Sequence, residues 1–131
     1  MADNCIFCKI IKGDIETDFI YENTNYVAFM DISPVAKGHL LVIPKKHYPF
    51  FIDMPEKEFA EMNKVVHKLA IALKKATDAD YIHLGIEGMD VHHTHIHLVP
   101  RKAKDDLATY KRTKYDDGEL NEYAEKIKSF L

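Results

Sequence analysis

The 131-residue sequence holds only two cysteines, Cys5 and Cys8. They are too few and too close for a disulfide framework, and the CIFC spacing is that of a metal hook or a redox pair. No window approaches the ~20 apolar residues that cross a bilayer, and the start lacks the basic segment and long apolar run of a secretory signal. A cytoplasmic protein with no membrane partner is therefore expected. Neither sign of charge dominates. The formal net charge is −3 with all eight histidines neutral, and acids and bases are mixed along most of the chain, so DNA or anionic lipid finds no strongly attractive face. Repeats and low-complexity linkers are also missing, and the length suits one domain, residues 1–131, with its own core.

What is present divides by period. CIFCKII at 5–11 is a short apolar element interrupted by Gly13. FIYE at 19–22 and YVAFM at 26–30, separated by Asn23-Thr24-Asn25, read as two strands and a tight turn. HLLVIP at 39–44, punctuated by Pro34, Gly38 and Pro44, is a third strand. From Pro55 to about Ala76 the period changes: Phe59, Met62, Val65, Val66, Leu69 and Leu73 recur three or four apart, which predicts an amphipathic helix. Asp53 and Glu56 are placed to form its capping box. YIHLGIE at 81–87 and HTHIHLVP at 93–100 are the last strands, residues 101–115 a polar loop, and Leu120, Tyr123, Ile127 and Phe130 or Leu131 mark a closing helix. The sum is α+β, with about five mainly antiparallel strands covered by helices.

In an extended strand His93, His95 and His97 share one face at spacings of about 7 Å, with Thr94, Ile96 and Leu98 on the other. Two such rings do not easily chelate one zinc with ligands at ~2 Å, so the row reads as a ruler along which histidines take different tasks. A neutral imidazole can attack an electrophile while a neighbour donates a hydrogen bond, a set suited to a phosphorus centre. A transition-metal patch and a plain polar face stay open on spacing alone. CIFC offers two thiolates, and structural zinc needs two more ligands. His47 and one histidine of the row are possible donors, with His67, His83 and His92 as alternatives, and two buried thiols as the bland reading.

CIFCKIIKGDI, YVAFMDISPVAKGHLLVIPKKH, the central helix and HTHIHLVPR together resemble the histidine triad hydrolases and nucleotidyl transferases. The resemblance covers most of residues 5–101, and 102–131 fall in the family's variable tail. It implies an α+β fold and a homodimer whose sheets join. His95 is the implied nucleophile, attacking the α-phosphorus of a nucleotide derivative to give a nucleotidyl-histidine. His97 would contact phosphate or bridging oxygen, and His39 would line the same pocket. Asp31 matches the residue that grips ribose hydroxyls, and Phe29 and Ile32 match positions flanking the base, a purine by the same resemblance. Cys5, Cys8, His47 and His93 match four structural zinc ligands, leaving chemistry to His95.

One stretch departs from the family. GIEGMDVHH is shortened, with Met89 where a glutamine is expected and Asp90 where a hydroxyl residue would help hold phosphate. A thioether cannot donate to phosphate and an ionised aspartate repels it. The leading expectation is a hydrolase of nucleoside phosphoramidates or dinucleoside polyphosphates. Its rival is a zinc-stabilised nucleotide-binding or interaction protein with little turnover. Lys102, Lys104, Lys111, Arg112 and Lys114, with Tyr110 and Tyr115 to stack on bases, make 101–115 basic, but no recognised module accompanies them and a nucleic-acid partner is not expected.

Overall fold

The computed structural model describes residues 4–105 and 111–131. In chain order these form helix α1 (Ile6–Lys12), strands β1 (Phe19–Glu22), β2 (Tyr26–Met30) and β3 (Leu40–Pro44), helix α2 (Glu56–Ala76), strands β4 (Tyr81–Ile86) and β5 (Ile96–Arg101), and helix α3 (Glu119–Lys128). The five strands make one antiparallel sheet in the order β1-β2-β3-β5-β4. The α+β architecture read from the periods is the one observed. Among the described residues no helix is long and apolar enough to cross a membrane.

Strands β2, β3 and β5 are buried along their whole length because both faces of the sheet are covered, and this is why their sequences run almost continuously apolar. Alternation sends Ala28, Met30, Leu40, Val42, Ile96 and Leu98 to one face, where they meet Met62, Leu69 and Leu73 of α2 and Ile127 of α3. Val27, Phe29, Leu41 and Ile43 point the other way and pack against Phe7, Cys8 and Ile10 of α1. The histidines belong to this second face, between α1 and the edge strand β4, since His97 pairs in register with Leu41 on one side and Gly85 on the other.

The structure departs from the sequence reading at several ends of elements. The apolar element read at 5–11 is helical, α1 running Ile6–Lys12; its first turn is capped by the Cys5 sulfur accepting the Cys8 backbone N–H at 3.4 Å and its last turn is stopped by Gly13 at φ 85°. The capping box expected from Asp53 and Glu56 is absent: α2 starts after Pro55 with no side-chain cap, because the Asp53 carboxylate instead accepts the Phe50 N–H at 3.0 Å. Strand β5 begins at Ile96, not at His93, because the Thr94 N–H and hydroxyl both donate to the Tyr48 carbonyl rather than to a neighbouring strand. Phe130 and Leu131 are exposed, and α3 seats Ala124 and Ile127 in the core.

Gly38 sets the entry to β3. Its φ is +101°, and a Cβ there would lie 3.2 Å from Thr77 Cγ2 and 3.3 Å from Leu73 Cδ1. Gly38→Ala is therefore expected to cost about 1–3 kcal/mol through the left-handed backbone and crowding combined. Urea unfolding checks this: the midpoint should fall at unchanged slope, and an unshifted midpoint would show that the turn carries no strain.

Candidate active site and metal cluster

His39 and His97 are brought together by the β3–β5 pairing, with His39 Nε2 2.8 Å from His97 Nδ1. The direction of that bond follows from the backbone. The Val35 N–H can only donate, and it lies 3.1 Å from His39 Nδ1. Neutral His39 therefore carries its proton on Nε2 and gives it to His97 Nδ1, which leaves the His97 proton on Nε2. That atom is sealed from solvent and has no hydrogen-bond partner among the described residues. The chain of bonds thus ends in an unpaired donor, with Glu87 Oε2 3.9 Å away.

Burial keeps both rings neutral. The His39 imidazole is pushed down to about 4, desolvation outweighing the opposing pull of Asp31, whose Oδ2 is 3.7 Å away. His97 is lowered as well, by burial first and by His95 second. The folded state holds His39 unprotonated while the unfolded chain takes a proton near 6.5, so protonation is linked to unfolding. The contribution of His39 to stability is full above pH ~6.5 and is lost as pH falls toward 4, on the order of 3 kcal/mol in all. His39→Gln should flatten that part of the profile. The measurement is urea unfolding of both proteins from pH 7 to 4, and parallel profiles would contradict the assignment.

His95 completes the face. Its Nδ1 lies 2.7 Å from the His93 carbonyl oxygen, which can only accept, so the ring proton is on Nδ1 and Nε2 keeps its lone pair. No described residue hydrogen-bonds that Nε2. The ring sits between Phe7, at 5.1 Å between centroids, and His97, at 5.0 Å. The triad side chains therefore share a face as the alternation predicted, although the strand begins only at Ile96.

Beside Phe7 opens an apolar cavity of about 360 Å³ lined by Ile6, Ile10, Phe29, Ile32 and Leu41, with Asp31 among its lining residues. Phe29 is 4% exposed and meets Phe7 edge-on at 5.7 Å, while Ile32 is 77% exposed. Asp31 accepts the Ser33 N–H at 2.9 Å and the Arg112 guanidinium at 2.8 Å. Phe7, Ile10 and Leu41 were not named from the sequence, and Arg112 was named only as part of a basic stretch. The spacing of Ile6, Phe7 and Ile10 was a helical signal in a run too short to read, whereas nothing local points Arg112 at Asp31. On the other side of His97 lies a polar hollow of about 450 Å³ bordered by His39, His83, Gly85, Glu87 and Arg112. A larger hollow of about 630 Å³ beside Lys37, Thr77 and Glu119 is lined by no triad histidine.

Cys5, Cys8, His47 and His93 converge, with their donor atoms all within 4.8 Å of one another. Cys5 Sγ is 3.3 Å and Cys8 Sγ 3.6 Å from His93 Nδ1, Cys8 Sγ is 3.3 Å from His47 Nδ1, and the two Nδ1 atoms are 3.2 Å apart. A tetrahedron with Zn–S ~2.3 Å and Zn–N ~2.05 Å has edges of about 3.5 Å between S and N and about 3.3 Å between nitrogens. These four distances fit those edges. His93 Nε2, 2.8 Å from the Pro44 carbonyl, must carry the ring proton, which leaves Nδ1 bare as a ligand requires. His67, His83 and His92 are not in the cluster. Asp31, His39 and His97 also approach one another, but a 2.8 Å His39–His97 contact is a hydrogen bond, shorter than the ~3.3 Å that two nitrogen ligands of one zinc would span.

Of the residues weighed for stacking on bases, Tyr115 is occupied: its hydroxyl accepts the Gly38 N–H at 2.9 Å and its ring packs against the core. Tyr110 lies outside the described residues.

A β-sheet that lines up histidines on one face, beside a Cys2His2 cluster and an apolar cavity whose wall residue Phe7 touches His95, defines a histidine triad site. Residues 12–104 match the HIT domain, and the chain belongs to that family. It is 37% identical over 112 residues to the adenylylsulfatase HINT3 of Arabidopsis thaliana, an alignment covering 82% of this chain and 57% of that protein. A HIT-like protein of Bartonella henselae, described as involved in cell-cycle regulation and holding an unknown ligand, superposes with a TM-score of 0.89 at 35% identity, over 99% of this chain and 98% of that one. A zinc-bound histidine triad family protein of Mycobacterium smegmatis superposes with a TM-score of 0.85 at 32% identity, over 97% and 92% of the two chains. Membership of the family gives general support to nucleotide binding or hydrolysis.

Proposed function

We propose that the protein is a single-domain cytoplasmic nucleotide hydrolase that cleaves nucleoside phosphoramidates or dinucleoside polyphosphates through a nucleotidyl-His95 intermediate. The observation that carries the reading is the His95 Nδ1–H bond to the His93 carbonyl at 2.7 Å, which leaves Nε2 as a lone pair beside the unpaired donor of His97. The nucleoside, a purine, enters the apolar cavity between Phe29 and Ile32, and Asp31 accepts from its ribose hydroxyls. His97 Nε2–H meets the phosphoryl oxygens or the departing atom, oriented by His39. The adenylylsulfatase activity named for the Arabidopsis relative supports an attack on an adenylyl phosphorus. The test is rapid denaturation during turnover, which should trap a nucleotide on His95. Recovery of the adduct on another residue would defeat the assignment.

Zinc held by Cys5, Cys8, His47 and His93 would be structural, closing four ligands and leaving no open position for chemistry. The zinc-bound relative supports that reading. A second copy of the chain would dock on the sheet edge at β4, where Leu84 is 50% exposed and the strand has no partner on its outer side among the described residues. The rival, a nucleotide-binding protein with little turnover, is favoured by one observation: Met89 is 86% exposed and Asp90 is exposed, so neither supplies the phosphate donor expected there. Tight nucleoside monophosphate binding with no turnover of any phosphoramidate or polyphosphate substrate would select it.

A further inference from the structure

We propose that Arg112 receives the leaving group and makes the enzyme selective for substrates that release an oxyanion, phosphate- or sulfate-type, over those that release an amine. This rests on the reading of His95 as nucleophile. The apolar cavity lies on the Phe7 side of His95 and the polar hollow on the His97 side. With the nucleoside in the first, the group displaced from phosphorus departs toward the second.

Two donor-bearing side chains line that hollow. One is His97, whose Nε2–H is closed off from solvent in the unliganded protein. The other is Arg112, whose Nη1 is anchored by the Asp31 carboxylate and the Ser33 carbonyl, both at 2.8 Å. Anchoring one nitrogen leaves Nη2 and Nε, the edge of the guanidinium that accepts an oxyanion in a two-pronged fashion. No described residue bonds to either. The side chain is 43% exposed, so its charge faces the open hollow and not the core. In the loop before the triad, the Met89 thioether and the Asp90 carboxylate offer an anion no side-chain donor. Arg112 lies beyond residues 12–104, the span matched to the family. Glu87 opposes it, with Oε2 3.9 Å from His97 Nε2, but that carboxylate is 63% exposed and unanchored and is therefore well screened.

The chemistry separates the two substrate classes. The His95 Nε2 lone pair forms a bond to phosphorus as the bond from phosphorus to the leaving group breaks, and the electron pair stays on the departing atom. A phosphate or sulfate oxygen departs as an anion and needs no proton, only positive charge nearby. An amine nitrogen must take a proton, which comes from solvent, since neutral His97 keeps its single proton on Nε2 as a hydrogen-bond donor. Water then adds to phosphorus, the Nε2–P bond returns its electron pair to His95, and the surplus water proton goes to solvent.

Wild-type protein, Arg112→Gln and Arg112→Lys are assayed on three substrates sharing one adenosine 5′-phosphoryl group: a dinucleoside polyphosphate, an adenylyl sulfate and an alkyl phosphoramidate. The ratio of kcat/KM for each oxyanion-releasing substrate to that for the phosphoramidate should fall about 10- to 100-fold in Arg112→Gln, with Arg112→Lys between. The two oxyanion substrates show whether phosphate or sulfate is the better fit. Inorganic pyrophosphate, titrated calorimetrically, should bind at least about 10-fold more weakly to Arg112→Gln. A ratio unchanged within about twofold, or equal pyrophosphate affinity, overturns the proposal, as does an equal loss on all substrates, which would mean that Arg112 merely steadies Asp31. If Arg112→Gln fails to fold, the same comparisons with Arg112→Lys decide. If wild-type protein turns over none of the substrates, the hydrolase reading fails, and the pyrophosphate titration alone settles whether Arg112 holds an oxyanion.

Discussion

Replacing His95 by asparagine is expected to lower kcat/KM by about 10⁴-fold or more and to abolish the trapped nucleotide, because on the proposed mechanism the group that attacks phosphorus is removed while everything that binds is left. Asparagine is chosen over alanine for a structural reason. Its amide nitrogen sits near the position of imidazole Nδ1 and can still donate to the His93 carbonyl, now 2.7 Å from Nδ1. The ring it replaces is 4% exposed and packed against Phe7 and His97, so alanine would add a cavity cost of about 2–4 kcal/mol that clouds the kinetics. The apolar cavity proposed for the nucleoside is not lined by His95, so dissociation constants for nucleoside monophosphate should change by less than about threefold. Turnover above about a tenth of wild type with a verified substrate would show that the attack comes from elsewhere, with His97 as the next group to examine.

The face that bears this chemistry was legible because alternation is a geometric rule. His93, His95 and His97 point one way even though His93 and His95 precede the strand, since Ile96 and Leu98 are drawn into the core opposite α2. The long amphipathic helix was legible for the same reason at its own period. Short elements were not. In α1, seven residues and one sulfur cap are too little sequence for a period to declare itself, so Phe7 was seen only as part of an apolar run. The capping box failed because the Asp53 carboxylate serves a nearer backbone donor, a choice between local partners that spacing cannot rank. Contacts over long separations were beyond reach on other grounds. The Arg112–Asp31 pair spans 81 residues, and the Thr113 and Tyr115 bonds to Pro34 and Gly38 span nearly as many. No periodic signal encodes them. They exist because the tail crosses the loop between β2 and β3.

Removing zinc is expected to lower the melting temperature by about 10–20 °C, on the estimate that a ligand at ~1,000 times its Kd contributes roughly 4 kcal/mol in a chain of this size. The site ties together segments that have little else in common: Cys5 and Cys8 from α1, His47 after β3, and His93 before β5. Helix α1 is only Ile6–Lys12 and would not hold its shape alone, yet it carries Phe7, which forms one wall of the apolar cavity proposed for the nucleoside and meets the rings of both His93 and His95. His93 also bears on the proposed nucleophile, since its ring joins the cluster while its carbonyl orients His95 through Nδ1–H. Loss of the metal should therefore act on two observables besides turnover. Nucleoside monophosphate should bind at least about 10-fold more weakly as Phe7 loosens, and the nitrogen resonances of His95 should lose the signature of a ring fixed with its proton on Nδ1. Cys8→Ala should reproduce both changes with less than about a tenth of an equivalent of zinc per chain. A metal-free protein that melts within about 2 °C of the loaded one and binds nucleotide equally well would mean that the four donors form a packed cluster of thiols and imidazoles with no structural metal to lose.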